Sequence, residues 1–177
     1  DKVYAHRFGR ASLGGQGGEV YWRDVGTVDA FWEANMDLTH IVPHLNLYDA
    51  SWPIWTYQEQ VPSAKFVFDE DKRRGSAVNS LISGGCIISG AHVQTSLIFT
   101  NVRVNSFSHV EDSVVLPNVD IGRHCNIKRA VIDKGCQVPE GLTVGEDAQR
   151  DSERFYRTDQ GITLITPDML GQGPRIS

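Results

Sequence analysis

Three features predict a mainly β fold, a three-sided parallel β-helix running from Asn79 to Val144: apolar residues that return every seventeen positions, compact residues two places ahead of them, and one column of glycine and asparagine. In rows of seventeen, Ile87, Val104, Ile121 and Val138 form one column, Val93, Val110, Ile127 and Val144 a second, and Leu81, Ile98, Val115 and Ile132 a third. Small or compact side chains precede them: Gly85, Val102, Val119 and Cys136; Ala91, Ser108 and Cys125; Ser96, Ser113 and Ala130. Strand side chains alternate in direction, so a pair spaced by two points to one side, and each row supplies three short strands around a common axis. Gly84, Asn101, Asn118 and Gly135 also share a column, and these residue types enter left-handed backbone most cheaply, which marks a corner. Each coil buries its neighbours' apolar columns, which is why the row must recur.

The remaining elements follow in chain order. In "EVYWRDVGTVDAFWEANMDL", a short aromatic strand leads to a turn closed by Gly26 and a helix capped by Thr27 that buries Val28, Phe31, Trp32 and Met36. Asp24 stands at that turn, where it serves either as an acceptor for backbone N–H groups or as a ligand. Residues 41–75 read as a linker with Pro43, Pro53, Pro62 and several large aromatics, and residues 76–146 as the β-helix domain. In the tail, 147–177, "GEDAQRDSERFYR" reads as a polar helix or loop over the solenoid's end. A strand from Ile162 to Ile165 and a short helix entered through Thr166 and Pro167 follow it.

A chain of 177 residues holds one complete domain, or one with part of another. A net charge of −5 and a pI near 5.6, without a run of basic residues, give no electrostatic reason for nucleic acid or an anionic membrane as partner. "DKRR", Asp71 to Arg74, reads as a solvated loop. Cys86, Cys125 and Cys136 lack metal-ligand spacing and are odd in number, so a reducing, cytoplasmic setting is expected. No apolar stretch is long enough to span a bilayer. The opening, Asp1 to Phe8, reads as the middle of a longer sequence.

Among side chains with chemistry, His92 and His109 share a column and point outward about one strand spacing, roughly 4.8 Å, apart. They form a surface ladder, or else a metal or general-base pair. His124 belongs on the surface, and Cys125 and Cys136 are packing residues. Arg123, Lys128, Arg129 and Lys134 crowd one coil; they keep the surface soluble or gather on one edge to hold a small phosphorylated ligand.

The order "YWRDVGTVDAFWEAN", then an aromatic linker ending in "PSAKF", then "NSLISGGCIISGAHV", "VRVNSF" and "RAVIDKGC", resembles the bacterial ADP-glucose pyrophosphorylases, or glucose-1-phosphate adenylyltransferases, along essentially the whole chain. That resemblance implies a left-handed hexapeptide-type β-helix behind a Rossmann-like nucleotidyltransferase domain, of which residues 1–40 are the end. It implies transfer of AMP from ATP to glucose 1-phosphate for glycogen synthesis, in a cytoplasmic homo-oligomer under phosphorylated allosteric effectors. By the same resemblance Asp24 helps hold Mg2+ and Trp22 lies near the sugar phosphate, although core packing is an equal role for Trp22. Lys134, in "IDK", takes part in effector binding, with Arg123, Lys128 and Arg129 close in sequence. Two departures stand out. The glycine-rich nucleotide loop, the catalytic acidic residue and the sugar-phosphate lysine are expected before Asp1, so the chain alone is expected to be inactive. Some relatives also place a second basic effector contact where Pro167 stands. A free-standing β-helix scaffold, and more distantly a hexapeptide acyltransferase, are the alternatives.

Overall fold

The computed structural model describes residues 2–5, 21–50, 53–55 and 57–173. Three parallel sheets wrap one axis. The first face stacks Lys65–Val67, Ile87–Ser89, Arg103–Val104, Asp120–Ile121 and Gln137–Val138. On the second lie Ser76–Val78, His92–Gln94, His109–Glu111, Asn126–Lys128 and Thr143–Val144. The third carries Leu81–Ile82, Leu97–Ile98, Val114–Val115, Ala130–Ile132 and Thr163–Ile165, with Tyr156–Arg157 antiparallel at its edge. Val104, Val110, Val115, Ile121, Ile127, Ile132 and Val144 fill the axis and are buried, as the columns require. Ser96 and Ser113 serve the corners: each hydroxyl donates to a carbonyl two residues back and accepts the N–H of the next coil, at Ser113 and Ala130 respectively. Small inward polar residues therefore leave no corner amide orphaned there.

The first coil departs from the expected register by one residue. Ile88, not Ile87, pairs with Val104; Ile82, not Leu81, pairs with Ile98; and Cys86 is the buried partner where Gly85 was expected. The cause is a shortened corner at Gly90, which brings Val93 inward five residues after Ile88 instead of six. A β-hairpin, Asp69–Glu70 with Arg73–Arg74, folds against that corner, and a Cβ on Gly90 would lie 2.6 Å from Arg73 Cγ and 3.3 Å from the Phe68 ring. The same slip puts Gly85 (φ 75°), not Gly84, in the corner column with Asn101, Asn118 and Gly135. Because Phe66 pairs with Ile88, the solenoid already begins at Lys65, within the stretch expected to be linker.

Helix α1, Val28–Asp37, is capped by Thr27, whose Oγ1 accepts the Ala30 N–H at 3.1 Å. Although the resemblance assigns it to a nucleotidyltransferase domain, it packs on the outer side of the third face of its own solenoid. Val28, Phe31, Trp32 and Met36 meet an outward column of Leu81, Leu97, Val114, Val131 and Leu164. Trp32 Nε1 donates to the Asp112 carbonyl at 2.8 Å, the Arg129 guanidinium lies 5.0 Å from the Trp32 ring, and Thr158 Oγ1 donates to Asp29 at 2.6 Å. At the helix's far end Asp37, 5% exposed, accepts from His44 Nδ1 at 2.7 Å and from the His44 backbone N–H at 3.1 Å.

The last coil is closed by helix α2, Ala148–Arg154, which sets Phe155 on the core; Asp151 accepts the Gly145 N–H at 2.8 Å. A 3-10 turn, Asp168–Leu170, is entered at Pro167 and rests Leu170 on the same core. Gln172 then completes the edge, accepting from the Gln137 N–H and donating to its carbonyl as another strand would. Among the described residues no helix is long and apolar enough to cross a membrane.

Candidate functional site

Asp24 lies in an extended stretch two residues ahead of the glycine that precedes the cap of α1. Its Oδ1 accepts the Gly26 N–H at 3.1 Å, which is the turn role read from the sequence. The carboxylate is exposed, so Oδ2 remains open to solvent or a ligand. Trp22 is 67% exposed and takes no part in the core. Among the described residues no three His, Cys, Asp or Glu side chains converge to hold a metal ion, so Asp24 offers one oxygen and no more. What it does have is a fixed base: Asp29 and Trp32 tie the start of α1 to the solenoid and its tail.

The four basic residues do not gather on one edge. Arg123 stands at the corner between the first and second faces, 5.4 Å from the Phe107 ring. Lys128 is on the second face and pairs with Glu111 at 3.1 Å. Arg129, at the next corner, lies by Trp32 and donates to the Gln160 carbonyl at 3.0 Å. Lys134 is beside the corner of Gly135, between the third and first faces, exposed and with no acceptor for its ammonium among the described residues. Four positions within one coil are thus distributed around it, because a coil turns through three corners.

Lys134 has a neighbour that sequence reasoning missed. Residues 57–64 lie across the same corner one to three coils earlier and enclose a cleft of about 710 Å3 against Ile82, Gly84, Phe99, Thr100, Pro117 and Asn118. Glu59 is held there by the Asn101 amide at 2.9 Å, and the Gly135 N–H donates to the Pro117 carbonyl, so Lys134 sits one coil below the cleft floor. No single row announces this cleft. It arises because a non-repeating strap covers a repeating corner.

The histidine ladder is as read: His92 and His109 are in register, with ring centroids 6.0 Å apart. Ser76, one coil earlier, brings its Oγ to 2.8 Å from His92 Nδ1. The sixteen-residue first row hid that alignment. A serine and a histidine in contact are the beginning of a nucleophile–base pair, but the next group along the column is the edge of His109, not a carboxylate to orient the base. His124 is on the surface, stacked on Phe107 at 4.9 Å. Cys86, Cys125 and Cys136 are buried and free, and burial pushes all three thiols up, Cys136 to about 12 with the charge of Asp133 adding to it.

Residues 62–165 match the family model described as GlmU-like, C-terminal hexapeptide. The chain belongs to the GlmU-like C-terminal hexapeptide family. Within it, the chain is similar to proteins named glucose-1-phosphate adenylyltransferase, which bears out the resemblance carried by its motifs. It is 60% identical to the one from Methylobacillus flagellatus over 171 residues, 62% to that from Nitrosomonas europaea over 172, and 63% to that from Methylococcus capsulatus over 171. Each match takes in 97% of this chain and 40% of the relative, so this hexapeptide chain spans about 40% of the length of the curated relatives it matches.

Proposed function

We propose that this chain is the solenoid-bearing portion of an adenylyltransferase that makes ADP-glucose and pyrophosphate from ATP and glucose 1-phosphate for glycogen synthesis. The observation that carries the reading is identity of 60 to 63% across 97% of the chain to proteins of that name. In this reading Asp24 gives one oxygen to Mg2+, a hard cation that takes carboxylate ligands and offsets negative charge during attack on the α-phosphorus of ATP. The Gly26 N–H orients the carboxylate, and the helix behind it is clasped to the solenoid, which supports a positioning role for the whole segment. Trp22, exposed beside it, is available to the sugar phosphate. Lys134, next to the corner cleft, supplies charge for a phosphorylated effector, with Pro167 in place of a second basic contact. The buried free thiols suit a reducing cytoplasm, and Phe66, 44% exposed on the first strand of the solenoid, suits a homo-oligomer.

A chimera tests this. The chain replaces the matching segment of the Nitrosomonas europaea protein, and pyrophosphate release is followed with ATP, glucose 1-phosphate and Mg2+. Turnover is expected, falling about a hundredfold or more in Asp24→Asn, while Lys134→Ala keeps basal turnover and loses response to phosphorylated effectors. The chain by itself is expected to release none. A folded chimera without turnover, or one indifferent to Asp24→Asn, overturns the reading.

A further inference from the structure

Helix α1 meets the rest of the molecule at a junction of elements far apart in the chain. Asp29, in its first turn, accepts from the Thr158 hydroxyl at 2.6 Å, 129 positions away. Trp32, one turn later on the same side of the helix, donates to the Asp112 carbonyl at 2.8 Å, 80 positions away. Arg129 joins the two contacts. Its guanidinium lies 5.0 Å from the Trp32 ring and donates to the Gln160 carbonyl at 3.0 Å, while its own carbonyl accepts the Thr163 N–H at 3.0 Å. Gln160 belongs to the turn that carries Thr158, closed by the Gly161 N–H on the Thr158 carbonyl and by the Ile162 N–H on the Thr158 hydroxyl, both at 3.0 Å. Helix, tail turn and solenoid corner therefore form one ring, running from Asp29 through Thr158, Gln160 and Arg129 to Trp32 and back along the helix.

Thr158 is buried, and because its hydroxyl oxygen accepts the Ile162 N–H, its proton is left for Asp29. An apolar seam has no direction, so by itself it lets a helix slide and turn. Two polar contacts a turn apart fix both. The helix does not need them to form, since Thr27 caps it and Phe31, Trp32 and Met36 bury it. What the ring adds is a defined position for the residues just ahead. Asp24, whose carboxylate accepts the Gly26 N–H at 3.1 Å, stands immediately before that capped turn. We propose that Thr158 and Arg129 are positioning residues for Asp24, holding through α1 the angle at which that carboxylate meets its cation. This role rests on the adenylyltransferase reading and gives the tail a part in the reaction. The guanidinium that the sequence offered to a phosphorylated ligand is taken up in the ring.

The test has two arms. In this chain, hydrogen exchange of the amides from Gly26 to Phe31 should quicken in Thr158→Val, which keeps the side chain's shape and loses its hydroxyl, while the solenoid amides keep native protection. In the Nitrosomonas europaea chimera, Thr158→Val should lower turnover about tenfold, the loss of one hydrogen bond to a charged group. Arg129→Met should lower it about threefold, the loss of an exposed cation–π contact, and Thr158→Ser should restore the parent rate. The deciding measurement is the double-mutant cycle with Asp24→Asn: a residue that acts through Asp24 costs nothing further once that carboxylate is gone, whereas a merely structural one costs the same in both backgrounds. The full tenfold loss in the Asp24→Asn background, parent turnover in Thr158→Val, or native exchange of α1 in that variant would overturn the proposal and leave the adenylyltransferase reading standing. A folded chimera without turnover, or one indifferent to Asp24→Asn, overturns that reading and this proposal with it.

Discussion

Val114→Asp places a carboxylate on the outward side of the third face, a position that is solvent in a bare solenoid and core under α1. Val114 is 0% exposed between Leu97 and Val131, with α1 above it. Losing a fully buried valine forfeits about 1.5 to 3 kcal/mol of transfer free energy. An uncompensated buried charge costs about 3 to 5 kcal/mol more if the helix stays down. The chain has a cheaper response, which is to lift α1 and wet the carboxylate, so the cost saturates at the free energy of docking. Hydrogen exchange of the α1 amides and urea unfolding, run together, read both quantities. The expected result is fast exchange across Val28–Asp37 with an intact solenoid, whereas Val110→Asp, on the axis, has no such escape and should unfold the coils. Val114→Asp with native protection of α1 would mean that the helix does not rest there, and the account of the second core would fail.

Two further outcomes are expected. Burial alone would raise the Asp37 carboxyl, but hydrogen bonds from the His44 side chain and backbone, with the charges of His44 and His40, hold it below its ordinary 3.8. A depressed carboxyl contributes stability above the unfolded value that is lost as pH falls through the folded one, so exchange in the loop after α1 should rise below about pH 3.8 and Asp37→Asn should remove that step. The three buried, raised thiols should react with a thiol reagent at pH 8 only after denaturation; rapid labelling of native Cys136 would contradict its place in the axis.

The sequence showed the axis well because inward positions in a solenoid repeat by physical necessity, and Val93, Val110, Ile127 and Val144 were right from end to end. A constant row fails at Ile87, because the corner at Gly90, against which the hairpin folds, is one residue shorter than the later ones. Of the three corners only one was legible. Gly85, Asn101, Asn118 and Gly135 advertise left-handed backbone in every row, but the other two corners, Gly90, Phe107, His124 and Gly141 and then Asn79, Thr95, Asp112 and Arg129, interrupt their permissive types with Phe107 (φ 66°), Thr95 (φ 44°) and Arg129 (φ 48°), which do not. A missed signal was present on the third face. Leu97, Val114 and Val131 recur at seventeen directly before Ile98, Val115 and Ile132, and strands apolar on both sides are covered on both sides. The cleft was not legible, since it joins a repeating corner to a segment outside the repeat.

Phe66 and Ile88 are neighbours on the first face although they stand twenty-two positions apart, where the next rung spans sixteen and the later ones seventeen. The surplus leaves the column as a hairpin, and the coil that follows gives up one residue at the Gly90 corner on which that hairpin rests. A solenoid's corners are therefore ports: ladder bonds run from coil to coil along the faces, so cargo added at a corner leaves the strands paired, and a residue gained or lost there is absorbed in the turn. Gly135, where a side chain would meet nothing within 4 Å, is such an opening on another corner. A protein built this way acquires new surfaces by grafting loops onto a scaffold that keeps count regardless.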